Sequence, residues 1–128
     1  MSEITYVRGD ATVPSVKGVK VIAHVCNDFR LGAAQFVRVE PYMWAANMVG
    51  QRGIRTGSKG VPVRYEAIDA ALGRLAQKTT ELGASVHMPR IGCGLAGGAW
   101  ARVEPLITER LVRRGISVTV YDHGEGRS

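Results

Sequence analysis

The hydrophobic and polar positions of the chain follow two periods, and glycine or proline ends most of the runs. Residues 19–26 are mostly apolar and predict a strand buried at the centre of a sheet. Residues 116–121 alternate between apolar and polar and predict the last strand. Helical spacing of apolar residues predicts one helix that starts at Pro62 and ends at Gly83, and a second that runs from Trp100 to a stop at Gly115.

Four shorter runs complete the pattern. Residues 4–7 and 85–89 predict single strands, and residues 36–40 and 43–50 predict two strands joined at Pro41 and Tyr42. The sequence therefore predicts an α/β fold in which helices flank a mixed central sheet of about six strands. No repeat or linker divides the chain, so we expect one domain over residues 1–122 and a disordered tail over residues 123–128.

Charge and cysteine content narrow the class of function. The chain has 128 residues and a net charge of +6, which favours a nucleic acid or a phosphate-bearing ligand. No apolar run approaches the roughly 18 residues of a membrane span, and the N-terminus lacks a secretion signal, so we expect a cytoplasmic protein. Cys26 and Cys93 are then reduced thiols. With His24 they fit no zinc pattern, so we expect neither metal nor cofactor.

The stretch from Met88 to Trp100 carries the clearest chemistry. A predicted strand leads into Gly92, Gly94, Gly97 and Gly98, and a predicted helix follows. This arrangement points backbone N–H groups at a phosphate, which glycine allows to approach closely. The glycine spacing matches the dinucleotide fingerprint, but it lies near the C-terminus, where a full dinucleotide domain cannot follow. A glycine-rich connector without a ligand is the alternative interpretation.

Three segments together resemble the macrodomain family. They are residues 4–11 with their Gly-Asp pair, residues 22–27 on the central strand, and residues 89–95 with Trp100 downstream. The resemblance covers most of the chain in the same order, and it is strongest to the branch that contains the animal terminal ADP-ribose glycohydrolase and its bacterial relatives. It implies a mixed sheet between helices that binds ADP-ribose or ADP-ribosylated protein.

The resemblance also implies individual roles. Asp10, with Ala11 beside it, would accept a hydrogen bond from the adenine amino group, and Asn27 would contact the distal ribose. The diphosphate and distal ribose would lie on Ile91, Gly92, Cys93, Gly94, Leu95 and Ala96. Tyr121 or Asp122 would lie near the adenine. Structural roles stay open as well, because Asp10 and Asn27 are common turn residues and Tyr121 suits a core with an exposed hydroxyl.

Two departures from the family bear on catalysis. The glycohydrolase uses a lysine and an acid, and the matching positions here are near Gln51 and at Ala96. Neither side chain can attack a sugar or transfer a proton, so the lysine mechanism is not supported. Hydrolysis of ADP-ribosyl esters on acidic side chains would instead use a positioned water, the glycine loop and Asn27, with Asp28 or His24 as further candidates.

A third departure follows Asn27, where the family continues with a loop and a helix that this chain lacks. We expect one face of the sheet to lose its cover and one wall of the cleft to be absent. An uncovered apolar face favours association, so we expect a homo-oligomer. The rival functions are a basic nucleic-acid-binding module and a scaffold domain whose cleft has lapsed.

Overall fold

The computed structural model describes residues 3–11, 18–27, 32–51, 64–91 and 99–122. The strands are β1 (Thr5–Arg8), β2 (Lys20–Asn27), β3 (Ala34–Glu40), β4 (Met43–Gln51), β5 (Ser85–Met88) and β6 (Val118–Asp122). The helices are α1 (Tyr65–Leu82) and α2 (Trp100–Arg110), and a short 3₁₀ turn follows at Val112–Arg114. These elements confirm the predicted α/β class, with strand ends displaced by one or two residues. The predicted helix start at Pro62 and the predicted tail at 123–128 lie outside the described residues.

The six strands form one mixed sheet in the order β1-β6-β5-β2-β4-β3. Every neighbouring pair is parallel except β3 and β4, which form an antiparallel hairpin through Pro41 and Tyr42. The apolar strand β2 lies between β5 and β4, and Val21 and Ala23 are fully buried there. Parallel strands inside a sheet are buried on both faces and need this apolar composition. The apolar run therefore predicted a central strand.

Both helices pack on the same face of the sheet. The turns of α1 bury Ile68, Leu72 and Leu75, and α2 buries Val103 and Ile107. These side chains form one core with alternate residues of the strands, namely Val21, Ala23, Ala46, Met48, Val86, Met88, Val118 and Val120. The alternation follows from the two-residue period of a strand. In β2, Val21 and Ala23 belong to this core and Val25 packs against it, while the side chain of Cys26 lies outside the described residues.

The opposite face carries no helix in the part of the chain that the structure describes. Across it, strand register aligns Thr119, His87, Ile22, Ala45 and Val37. The centre of this row is nevertheless buried, since His87 is 1% and Ile22 is 7% exposed. Apolar exposure is concentrated on the edge strands, at Val7 in β1 and Val37 in β3. We expected one whole face of the sheet to be exposed. Among the described residues, the exposed valines lie instead on the two edge strands.

Within the described ranges, no helix is long and apolar enough to span a membrane. Over the same residues, no three His, Cys, Asp or Glu side chains come together as metal ligands.

Candidate functional site

The five parallel strands end at one edge of the sheet, which we call the carboxyl edge. This edge collects the described residues that were predicted to bind a ligand, namely Asp10 and Ala11 after β1, Asn27 at the end of β2, Ile91 after β5, and Tyr121 and Asp122 at the end of β6. Ligands of open α/β sheets bind outside the carboxyl ends of the strands. The fold therefore gathers segments that are more than one hundred positions apart in the sequence.

The turn after β1 depends on Gly9. Its φ is +146°, a conformation that side chains rarely adopt, and its N–H donates to the Asp122 carbonyl at 2.8 Å. This hydrogen bond extends the pairing of β1 with β6 by one residue. The chain then leaves the sheet with Asp10 exposed and Ala11 buried. Asp10 thus lies at the carboxyl edge beside the end of β6.

Tyr121 is held by a buried histidine. Its hydroxyl lies 2.9 Å from Nδ1 of His87, and Nε2 of the same ring lies 2.8 Å from the Ser85 hydroxyl. Burial lowers the pKa of His87, and the charge of Lys20 adds to that effect. A neutral imidazole has one donor and one acceptor, so both partners complete its hydrogen bonds. The half-buried Tyr121 therefore has a structural role in the sheet as well as a position near the site.

Arg90 forms a cluster that the sequence did not predict. Its Nε and Nη2 donate to the two Asp122 carboxylate oxygens at 2.6 and 3.2 Å, and its Cζ lies 5.3 Å from the ring centroids of both Tyr6 and Trp100. This contact lowers the pKa of Asp122. Trp100 donates from Nε1 to the Tyr6 hydroxyl at 3.0 Å. We call Tyr6, Arg90, Trp100 and Asp122 the arginine clasp.

The arginine clasp lies at both ends of the glycine-rich segment. Arg90 precedes residues 92–98 and Trp100 follows them. On the first side, the Ile91 side chain is 3% exposed within the core. On the second side, the Ala99 N–H donates to the Tyr65 hydroxyl at 2.9 Å. Both ends of the segment are thus fixed to the body of the fold. This anchoring depends on tertiary contacts, so the sequence pattern does not predict it.

The start of α2 adds a partial positive charge at this place. Ala99 occupies the N-cap without a side-chain hydrogen bond, and the first turn contains no acidic residue. The helix dipole is therefore not neutralised by a neighbouring carboxylate of its own first turn. A helix start of this kind favours an anionic group at its end.

Several predicted site residues are not located with their side chains. Asp28 and the loop residues Gly92, Cys93, Gly94, Leu95 and Ala96 lie outside the described residues. Strand register places Asn27 opposite Gln51, so the position aligned with the family's lysine is adjacent to the residue predicted to contact the distal ribose. His24 is exposed on the face without a described helix. The site residues missed by sequence reasoning are Tyr6, His87 and Arg90.

Similar proteins identify the family. A macrodomain protein from Streptomyces coelicolor is 55% identical to the chain, with alignment over 95% of this chain and 100% of its own, and a TM-score of 0.82. The chain belongs to the macrodomain family. A Bacteroides thetaiotaomicron protein is 44% identical over 94% of this chain and 98% of its own, with a TM-score of 0.91. The macrodomain fold therefore applies to nearly the whole sequence.

More distant matches are partial. The Thermosipho africanus DarTG structure in complex with ADP-ribose is 16% identical, with a TM-score of 0.64, over 84% of this chain and 39% of that one. A zebrafish (Danio rerio) protein, chromodomain-helicase-DNA-binding protein 1-like, is 36% identical over 66 residues. This match spans 6% of that protein's length and 52% of this chain. No family model matches the sequence.

Proposed function

We propose that this macrodomain binds ADP-ribose at the carboxyl edge. The observation that carries the proposal is the glycine-rich segment between β5 and α2, which is anchored at both ends and leads into an uncapped helix start. Backbone N–H groups of such a segment suit a diphosphate. The ADP-ribose complex of the distantly similar Thermosipho protein supports the choice of ligand.

The proposed pose uses the residues in the order that the sheet presents them. Asp10, exposed after β1, accepts a hydrogen bond from the adenine amino group. Residues 91–96 hold the diphosphate and the distal ribose, and Asn27 contacts that ribose from the end of β2. Tyr121 and Asp122 lie on the adenine side, where the arginine clasp holds the Asp122 carboxylate. An ADP-ribosylated protein would bind through its ADP-ribose group in the same pose.

Hydrolysis of an ADP-ribosyl ester on an acidic side chain is the second activity that we propose. Gln51, aligned across from Asn27, has a carboxamide that cannot form a Schiff base. A water positioned by Asn27 and the loop would therefore attack the anomeric carbon of the distal ribose, the bond from that carbon to the ester oxygen would break, and the acidic side chain would leave as a carboxylate while Asp28 or His24 accepts the proton of the water. During turnover, borohydride should trap no covalent adduct between a lysine and the sugar. Detection of a lysine adduct by mass spectrometry would overturn this mechanism.

Calorimetry tests the binding proposal directly. We expect ADP-ribose to bind with one site per chain, and ADP alone to bind more weakly because it lacks the distal ribose. NAD serves as a control in which the distal ribose carries nicotinamide. If the folded protein shows no measurable ADP-ribose binding, the binding proposal is wrong and the scaffold interpretation replaces it. We further propose a cytoplasmic location and self-association, the latter on the exposed valines of the edge strands.

A further inference from the structure

A groove of about 600 Å³ lies on the outer side of the helices, between α1 and the region that follows α2. Its lining consists of Ala70, Gly73, Arg74, Gln77, Thr80, Glu81, Arg110 and Arg114. Both helices start at the carboxyl edge, whereas Arg110 ends α2 and Arg114 lies beyond it. The groove, which we call the arginine groove, is therefore separate from the proposed ADP-ribose site.

Two of the three arginines have a fixed orientation. Arg110 donates from Nε and Nη2 to the Asp69 carboxylate at 2.8 and 3.0 Å, and Arg74 donates from Nε to the Gly32 carbonyl at 3.1 Å. Among the described residues, the remaining guanidinium N–H groups of both have no hydrogen-bond partner. The Arg114 side chain makes no hydrogen bond or ion pair with the part of the chain that the structure describes. A guanidinium that is already oriented loses less freedom when it binds an anion.

We propose that the arginine groove binds the phosphate backbone of double-stranded nucleic acid. The lining contains three arginines and one acid, Glu81, and the whole chain carries a net charge of +6. Because Asp69 pairs with Arg110, the excess positive charge of the groove comes from Arg74 and Arg114. Guanidinium groups match phosphate oxygens, and contacts with phosphates position a duplex without reading its sequence. The lining has no aromatic side chain on which single-stranded bases could stack, and its one apolar side chain, Ala70, offers no anchor to a peptide. This activity is independent of the proposed ADP-ribose binding.

Fluorescence anisotropy with a short labelled DNA duplex of random sequence tests the proposal. We expect wild-type protein to bind, with an affinity that decreases linearly on a logarithmic salt scale. Arg114→Gln should weaken binding about threefold to tenfold and reduce the salt slope by about 0.9, the contribution of one phosphate contact. The matched control is Arg38→Gln, which removes the same charge from an exposed position on β3. It should change both quantities much less.

Two further variants probe the groove itself. Glu81→Gln removes the acid of the lining and should tighten duplex binding, whereas Glu40→Gln, on exposed β3, should have little effect. Circular dichroism and thermal melting establish that each variant is folded before its affinity is compared.

Four outcomes would overturn the proposal. One is the absence of duplex binding at physiological salt, and another is an equal effect of Arg114→Gln and Arg38→Gln, which would indicate diffuse attraction by net charge. A third is stronger binding of a single strand of the same length. The fourth is competition by saturating ADP-ribose, which would place the duplex at the carboxyl edge. Loss of ADP-ribose binding alone would leave the groove unaffected, so the two proposals fail separately.

Discussion

Asp10 and Arg90 differ in how they serve the carboxyl edge. Asp10 is exposed after the Gly9 turn and would contact the ligand itself, whereas Arg90 bonds to Asp122 and lies against two aromatic rings. We therefore propose that Asp10 recognises the ligand and that Arg90 supports the loop. Substitutions at the two positions should differ accordingly, in affinity at the first and in both stability and affinity at the second.

Asp10→Ala should weaken ADP-ribose binding by about 1–3 kcal/mol, the cost of losing a hydrogen bond to a charged group. Calorimetry measures the change. The control is Glu3→Ala, which removes the same charge from an exposed position before β1 and should preserve affinity. Equal affinity of wild type and Asp10→Ala would remove Asp10 from the adenine site and leave it as a turn residue.

Arg90→Lys keeps the charge but loses the paired hydrogen bonds and the planar contact with Tyr6 and Trp100. Arg90 and Asp122 are 42% and 44% exposed in their side chains, so solvent screens their attraction. We expect a loss of about 1 kcal/mol in unfolding free energy, largely from the aromatic contacts. Urea denaturation measures it, with Arg113→Lys at another exposed ion pair as the control. Unchanged stability would show that the arginine clasp is not a stabilising unit.

At the scale of elements, His87 joins β5 to β6 and makes their contact sensitive to pH. Its pKa in the folded protein lies below the ordinary value of 6.5, so the unfolded chain binds a proton more readily. The stability that depends on a neutral His87 is therefore complete above pH 6.5 and declines as the pH falls below that value. His87→Gln should remove this part of the pH dependence.

Chemical denaturation at a series of pH values would measure that dependence. His24→Gln is the matched control, because His24 is an exposed histidine on the same face of the sheet. It should retain the wild-type profile. An identical profile for His87→Gln and wild type would contradict the assignment of a neutral, buried imidazole.

The elements that could be predicted from the sequence are those set by local chemistry. The apolar run of β2 indicated a central strand, and Gly83 ends α1 with a φ of +64°, a position that glycine adopts without strain. Asp10, Asn27 and the loop were assigned by resemblance to a family. The arginine clasp could not be read in this way, because Tyr6 and Trp100 are 94 positions apart. They meet only because β1 pairs with β6, and no periodic pattern contains that order.

At the scale of the whole molecule, the strand order places β3 at one edge of the sheet, where β4 is its one neighbour among the described strands. Val37 and Val39 on this strand are 43% and 53% exposed. An edge with unpaired backbone groups and apolar side chains favours pairing with another chain. We therefore expect a dimer or larger species in light scattering. A monomer of 13.8 kDa with a cooperative melt would show that the chain covers its own sheet.

A charged side chain on the edge strand would locate the contact. Val37→Lys should shift the protein to the monomer without lowering its melting temperature, because the valine is already partly exposed. Thr5→Lys introduces the same charge on β1 at the opposite edge and should leave the assembly unchanged. Dissociation by Thr5→Lys alone would move the interface to the other edge.

Because Ile91 and Ala99 are fixed on either side of residues 92–98, the cost of closing this segment is met on folding and not on ligand binding. Burial of Ile91 and the hydrogen bond from Ala99 to Tyr65 close this segment during folding, before any ligand arrives. A ligand then meets a segment that is already held at both ends, which leaves more of the contact energy for affinity. The affinity for ADP-ribose should therefore be sensitive to local unfolding around Ile91 and Ala99. In low concentrations of urea, ADP-ribose binding should decline before the helical signal does.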